Sequence, residues 1–191
     1  MTAHEHKKKE AQAEAEKWVP KGDKKLKTFI KEMEPFKLCQ EDVPFRIKLF
    51  ENPRWFTSEF FSGAVNLFTH DCIHIVLGRG LLIKDEAFVI GYTMGSSKRI
   101  SRFKKNLFMF CSKYLYPEGY RFSEEERFVF NMGILAGSLC PVDLSRIDFK
   151  KLLDLRISEI REKLRISCDV IKHCYGLEGN CFSSPESKRL L

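Results

Sequence analysis

Residues 60–78 read FFSGAVNLFTHDCIHIVLG. Apolar side chains recur in this stretch at helical spacing. Gly78 and Gly80 stand where a helix can stop, because glycine takes the left-handed conformation at little cost. Thr57 or Ser58 can cap the first turn, so the pattern predicts a helix that opens there and closes at Gly78. On it, His70 and His74 are four residues apart and share one face. Asp71 lies about 100° round from His70 and can lean towards the same spot, whereas Cys72, about 200° round, points away.

Working outward, a second helix is expected from about Asp85 to Met94, acidic in its first turn, which favours a helix start. Its Glu86 can fold back across the glycine turn towards the two histidines. A third helix is expected from about Ser97 to Tyr116, before Pro117. A fourth opens at Ser123, which fits a capping box with Glu126. Its body, FVFNMGILAGSL, is apolar on nearly all sides and is expected at the centre. A fifth covers about Asp148 to Ile166. Residues 1–34, rich in Lys, Glu and Ala, read as a mobile basic extension. Pro35, Pro44 and Pro53 punctuate a mainly looped segment, and residues 176–191, with Gly176, Gly179 and Pro185, read as an irregular tail. Strict alternation of apolar and polar residues is missing, so the expected fold is all-α, a single-domain helical bundle over residues 35–175.

The chain has 191 residues, 43% of them hydrophobic and 17 of them Phe, enough for one domain with an aromatic-rich core. Its net charge is +7, concentrated in the N-terminal Lys run and in residues 98–105. A basic balance favours an anionic partner, but no base-reading or stacking module is present, so nucleic acid is not expected. The helix over 97–116 alternates Arg99, Arg102, Lys105 and Lys113 with Ile100, Phe103, Leu107, Phe110 and Tyr114. That pattern suits either peripheral contact with an anionic membrane surface or an ordinary basic outer face. Seven Cys without a CxxC pair, and a start without an apolar signal segment, predict reduced thiols in a cytoplasmic or peripheral-membrane setting. The longest uncharged run, Phe128 to Val142, is shorter than the ~20 residues a spanning helix needs.

Two imidazoles with up to two carboxylates suit zinc, iron or manganese better than calcium or magnesium. His70, Asp71, His74 and Glu86 are therefore the candidate metal ligands, the alternative being ordinary polar groups near a core. Arg79, just beyond the metal helix, is a candidate to bind an anionic headgroup or carboxylate. A metalloprotease helix needs Glu directly after the first His, where this chain has Asp71. A phosphohydrolase of the His-Asp type needs a ligand His well upstream, and only His4 and His6 stand there.

The pattern His70-Asp71-x-x-His74, eleven residues, then Glu86, with Leu77-Gly78 after the second His, resembles the metal motif of the Coq-four family of ubiquinone-biosynthesis proteins. Residues 157–166, ISEIREKLRI, are similar to that family's closing helix, with Arg165 in place of its glycine. The sequences part company after Glu86. The resemblance implies a helical, zinc-type metalloprotein at a membrane surface, with His70, Asp71, His74 and Glu86 as ligands. It would act on a prenylated quinone precursor, removing the ring carboxyl at C1 and hydroxylating there, or would organise a biosynthetic enzyme complex. Gly91, Gly95, Gly133 and Gly137 would then either open a groove for a prenyl chain or pack helices tightly. Two further readings remain: a metal-dependent hydrolase of a soluble substrate, and a non-catalytic lipid-binding scaffold.

Overall fold

The structure, a computed structural model, describes residues 17–40, 66–97, 122–182 and Ser187. The expected helix over 97–116 with its basic face, and the caps at Thr57 and Ser58, lie outside these residues. Among the described residues the fold is all-α. It comprises α1 (Leu26–Gln40), α2 (Leu67–Leu77), α3 (Ile83–Ser96), α4 (Glu124–Ser138), α5 (Ile157–Lys163) and α6 (Cys168–Cys181), with 3-10 turns at Leu144–Arg146 and Phe149–Leu152.

Within the expected extension over 1–34, residues from Leu26 on are corrected by α1, while residues 1–16 lie outside the described ones. Leu26, Phe29, Met33 and Phe36 recur at helical spacing and are buried, so this helix belongs to the core and runs through Pro35. Its start is tied to a distant segment. The amides of Leu26 and Lys27 donate to the carbonyls of Leu155 and Leu153, each at 3.0 Å. Ser158 donates to Asp23 from both its amide and its hydroxyl. These bonds explain why the helix expected over 148–166 is broken. Carbonyls at 153 and 155 satisfy the open N–H groups of α1, so a regular helix begins only at Ile157.

Helices α3 and α4 meet backbone to backbone. Gly91 and Gly95 of α3 lie against the carbonyls of Phe130 and Ile134. Gly133 and Gly137 of α4 lie against those of Phe88 and Tyr92. A Cβ at any of the four would collide with a carbonyl oxygen, so only glycine permits this approach. The four glycines therefore open no groove between these helices: main chain fills the space. The near-constant offset of the contacts shows that α3 and α4 run parallel. The Ser123–Glu126 capping box expected at the start of α4 is formed, with the Ser123 amide donating to Glu126 at 2.8 Å.

The expected irregular tail from residue 176 is corrected by α6, which continues to Cys181 despite Gly176 and Gly179. Ser167 caps it, accepting from the Val170 amide at 3.3 Å. Ile171, Cys174, Tyr175 and Glu178 form one buried face at helical spacing, which holds the helix against the core. No described helix is long and apolar enough to cross a membrane.

Candidate metal centre

Helix α2 starts at Leu67, not at residue 57 or 58. Asn66 caps it in an extended conformation, its side chain accepting from the Thr69 amide at 2.9 Å. All four carbonyls of its last turn find partners, as a buried helix end requires. Gly78, at φ 76°, closes a Schellman motif in which the Gly78 amide donates to Ile75 and the Arg79 amide to His74. Arg161 Nε donates to the Val76 carbonyl at 2.7 Å, and the Tyr175 hydroxyl donates to that of Leu77. The positive Arg161 also suits the negative end of the helix dipole.

This anchored end presents His74 to α3. The capping carboxylate of Asp85, which accepts from the Leu82 amide at 3.0 Å, starts α3 and places Glu86 one residue on. Glu86 Oε2 lies 3.2 Å from His70 Nε2, and Glu86 Oε1 lies 3.2 Å from His74 Nε2. The imidazole centroids are 4.7 Å apart. His70, His74 and Glu86 form a group able to hold a metal ion, their ligand atoms all within 4.8 Å of one another. Asp71 does not join them. It is buried at 1% exposure, and the cluster does not extend to it.

His74 Nδ1 sits 2.7 Å from the Gly80 carbonyl. A carbonyl only accepts, so Nδ1 carries a proton and Nε2 is left to face Glu86 as a lone pair or a second N–H. With a neutral imidazole, His74 Nε2 and the Glu86 oxygen it faces are both acceptors. A cation must then lie between them, as a second imidazole proton or as a metal ion. The 3.2 Å separations exceed the ~2.7–2.9 Å of a charge-assisted hydrogen bond. Donors at tetrahedral corners with ~2.0–2.2 Å bonds stand about 3.3–3.6 Å apart, comparable with these two separations, in which each histidine approaches a different carboxylate oxygen. Burial pushes the Glu86 carboxyl upward, but His70 and His74 outweigh it by charge and hydrogen bonding and hold it well below the ordinary carboxylate range. His74 is closed off at 1% exposure, whereas His70 and Glu86 are 19% and 33% exposed, so the cluster opens to solvent on their side.

Arg79 corrects the expectation of a loop arginine turned to an anionic ligand. It is fully buried. Nη1 pairs with Glu178 Oε2 at 2.6 Å and lies 3.7 Å from Asp85 Oδ1. The rings of Phe88 and Tyr175 flank its guanidinium on two adjacent sides, 3.9 and 4.5 Å away. Glu178 falls in the stretch expected as an irregular tail, and the structure places it on α6. The spacing 171, 174, 175, 178 is the signal that could have placed it on a helix. The Gly80 carbonyl, a backbone group, leaves no mark in the sequence.

Fold and site together define an all-α protein with a two-histidine, one-carboxylate cluster at the junction of two helices. No family model matches the chain, and neither does any curated protein or solved structure.

Proposed function

We propose that this chain is a metal-binding protein, with zinc held by His70, His74 and Glu86, that acts on or holds a prenylated aromatic quinone precursor. The observation that carries the metal reading is the convergence of two imidazole nitrogens and a carboxylate from separate helices. The fixed Nδ1 proton of His74 adds to it. Two His and one Glu are a set used by catalytic zinc, which keeps a position open. A bound ion would supply a Lewis acid able to polarise a carbonyl or lower the pKa of water. The chain's own residues divide the remaining work. His74 fixes the buried corner of the site, Glu86 supplies negative charge, and the exposed edges of His70 and Glu86 form the approach.

The substrate class rests on the resemblance to the Coq-four family. One local feature supports that likeness. Arg165, standing where the family's closing helix has glycine, has φ 54°, a left-handed conformation that glycine favours. Iron and manganese remain alternatives to zinc.

Elemental analysis of the purified wild type against His70→Ala/His74→Ala tests the metal. About one ion per chain in the first and none in the second is expected, and near-zero metal in both defeats the reading. Mass spectrometry of lipid extracted from the native protein, with liposome flotation and titration of a prenylated hydroxybenzoate, tests the substrate. Retained metal without any isoprenoid, together with turnover of a soluble substrate, would assign a hydrolase instead. Binding of isoprenoid without turnover would assign a scaffold.

A further inference from the structure

We infer that Glu178, on α6 and 104 residues beyond His74, is a positioning residue for the metal cluster, acting through Arg79 and the Gly80 carbonyl. The inference rests on the metal reading for its meaning but not for its geometry. The turn between α2 and α3 contains two groups that matter here. One is the Gly80 carbonyl, 2.7 Å from His74 Nδ1, which sets the imidazole tautomer and aims Nε2 at Glu86. The other is the adjacent Arg79 side chain, which runs inward instead of outward and is fully buried.

A buried guanidinium needs a carboxylate, and Glu178 supplies it at 2.6 Å. Asp85 lies 3.7 Å from the same Nη1 and meanwhile accepts from the Leu82 amide with its other oxygen, so Arg79 bridges the end of one metal helix and the start of the next. Glu178 is held in turn by Ser187, whose hydroxyl reaches Oε1 at 3.1 Å. Phe88 and Tyr175 flank the guanidinium on two adjacent sides and confine it. The turn is thereby fixed from the interior. Without Glu178, Arg79 would keep only the longer contact with Asp85, its guanidinium would shift, and the Gly80 carbonyl would move with its neighbour. Groups that orient a ligating imidazole typically change metal affinity by ~10–100-fold when removed.

The test compares Glu178→Gln with Ser96→Ala. The second variant removes another buried hydrogen bond, accepted from the Leu144 amide at 3.1 Å at the C-terminal end of α3, and leaves the turn and its ion pair as they are. Two readouts are taken on the full chain. Nitrogen-15 NMR of the metal-free protein, at a pH where the His74 imidazole is neutral, reports its tautomer, and zinc affinity is measured by chelator competition. In Glu178→Gln, loss of the Nδ1–H tautomer and ~10–100-fold weaker zinc are expected. In Ser96→Ala, both should stay as in the wild type. A folded Glu178→Gln that keeps the wild-type tautomer overturns the inference. If the wild type binds no zinc yet the variant loses the tautomer, the metal reading fails and the positioning role stands. Should Glu178→Gln not fold, the paired replacement Arg79→Met/Glu178→Leu removes both charges at similar volume. An unchanged tautomer in that folded variant likewise overturns the inference.

Discussion

The two sides of α3 are built on opposite principles. Towards α4 it presents Gly91 and Gly95, and at the glycines main chain meets main chain. Glu86, about 140° round the helix from Gly91, faces α2 across a joint made of imidazoles and a carboxylate. The first joint derives its strength from shape. Carbonyls meet Cα groups so closely that no side chain fits, contacts that are individually weak but close-packed. The second depends on charge and on a turn held by a buried ion pair. A glycine seam fixes where α3 lies and lets Glu86 be delivered to a set place, which is what a site with little positional tolerance needs. The polar joint then has freedom to be open on one side without loosening the fold.

The sharpest way to break this contrast is to add bulk on the seam. Gly137→Val is expected to destabilise by more than the ~1–3 kcal/mol of ordinary overpacking, because the obstacle is the Tyr92 carbonyl and not a movable side chain. Thermal unfolding followed by circular dichroism would check it. A variant melting within a degree or two of the wild type would show that the helices can separate without loss.

On the polar side the expected effect is smaller and conditional. Zinc at a hundredfold excess over its dissociation constant should stabilise the wild type by about 2.7 kcal/mol. His70→Ala/His74→Ala should fold and show no zinc-dependent shift. Equal shifts in both proteins would move the ion elsewhere.

Alkali should loosen both joints together. Tyr92, whose carbonyl lies in the seam, turns its phenol towards Cys140 and Cys174, Tyr175 closes the end of α2, and burial raises the pKa of each well above the ordinary tyrosine value of 10.0. Both are neutral in the fold where the unfolded chain would already ionise. Their contribution is therefore fully present below pH 10 and is lost as pH rises beyond it, by about 1.4 kcal/mol per pH unit per tyrosine. Unfolding and tyrosinate absorbance followed against pH should coincide. Ionisation of either ring in the intact fold near pH 10 would contradict the burial argument.

The smallest effect compares two helix ends of one design. Helices α2 and α5 both close in a Schellman motif. At α5, Arg165 donates to Glu162 at 3.0 Å and Ile166 to Arg161 at 2.8 Å. Gly78 occupies the left-handed position in the first and Arg165 in the second. Arg165→Gly should therefore stabilise by roughly 0.5–1 kcal/mol, read as a small rise in melting temperature. A fall would mean that the Arg165 side chain contributes more than its backbone conformation costs.

The sequence alone determined the all-α class, the histidine pair and its partner Glu86, and the capped start of α4. Each rests on spacing within one helix or across one short turn, where periodicity of 3.6 residues translates directly into geometry. Tertiary structure decided everything that depends on partners far apart in the chain. It drew α1 into the core through carbonyls at 153 and 155, broke the helix expected before Ile157, extended α6 past its glycines and left Asp71 outside the cluster. It also turned Arg79 inward to a carboxylate 99 residues away. No local pattern encodes such a pairing, because a buried charge is tolerated only when the whole fold delivers its counter-charge to the same place.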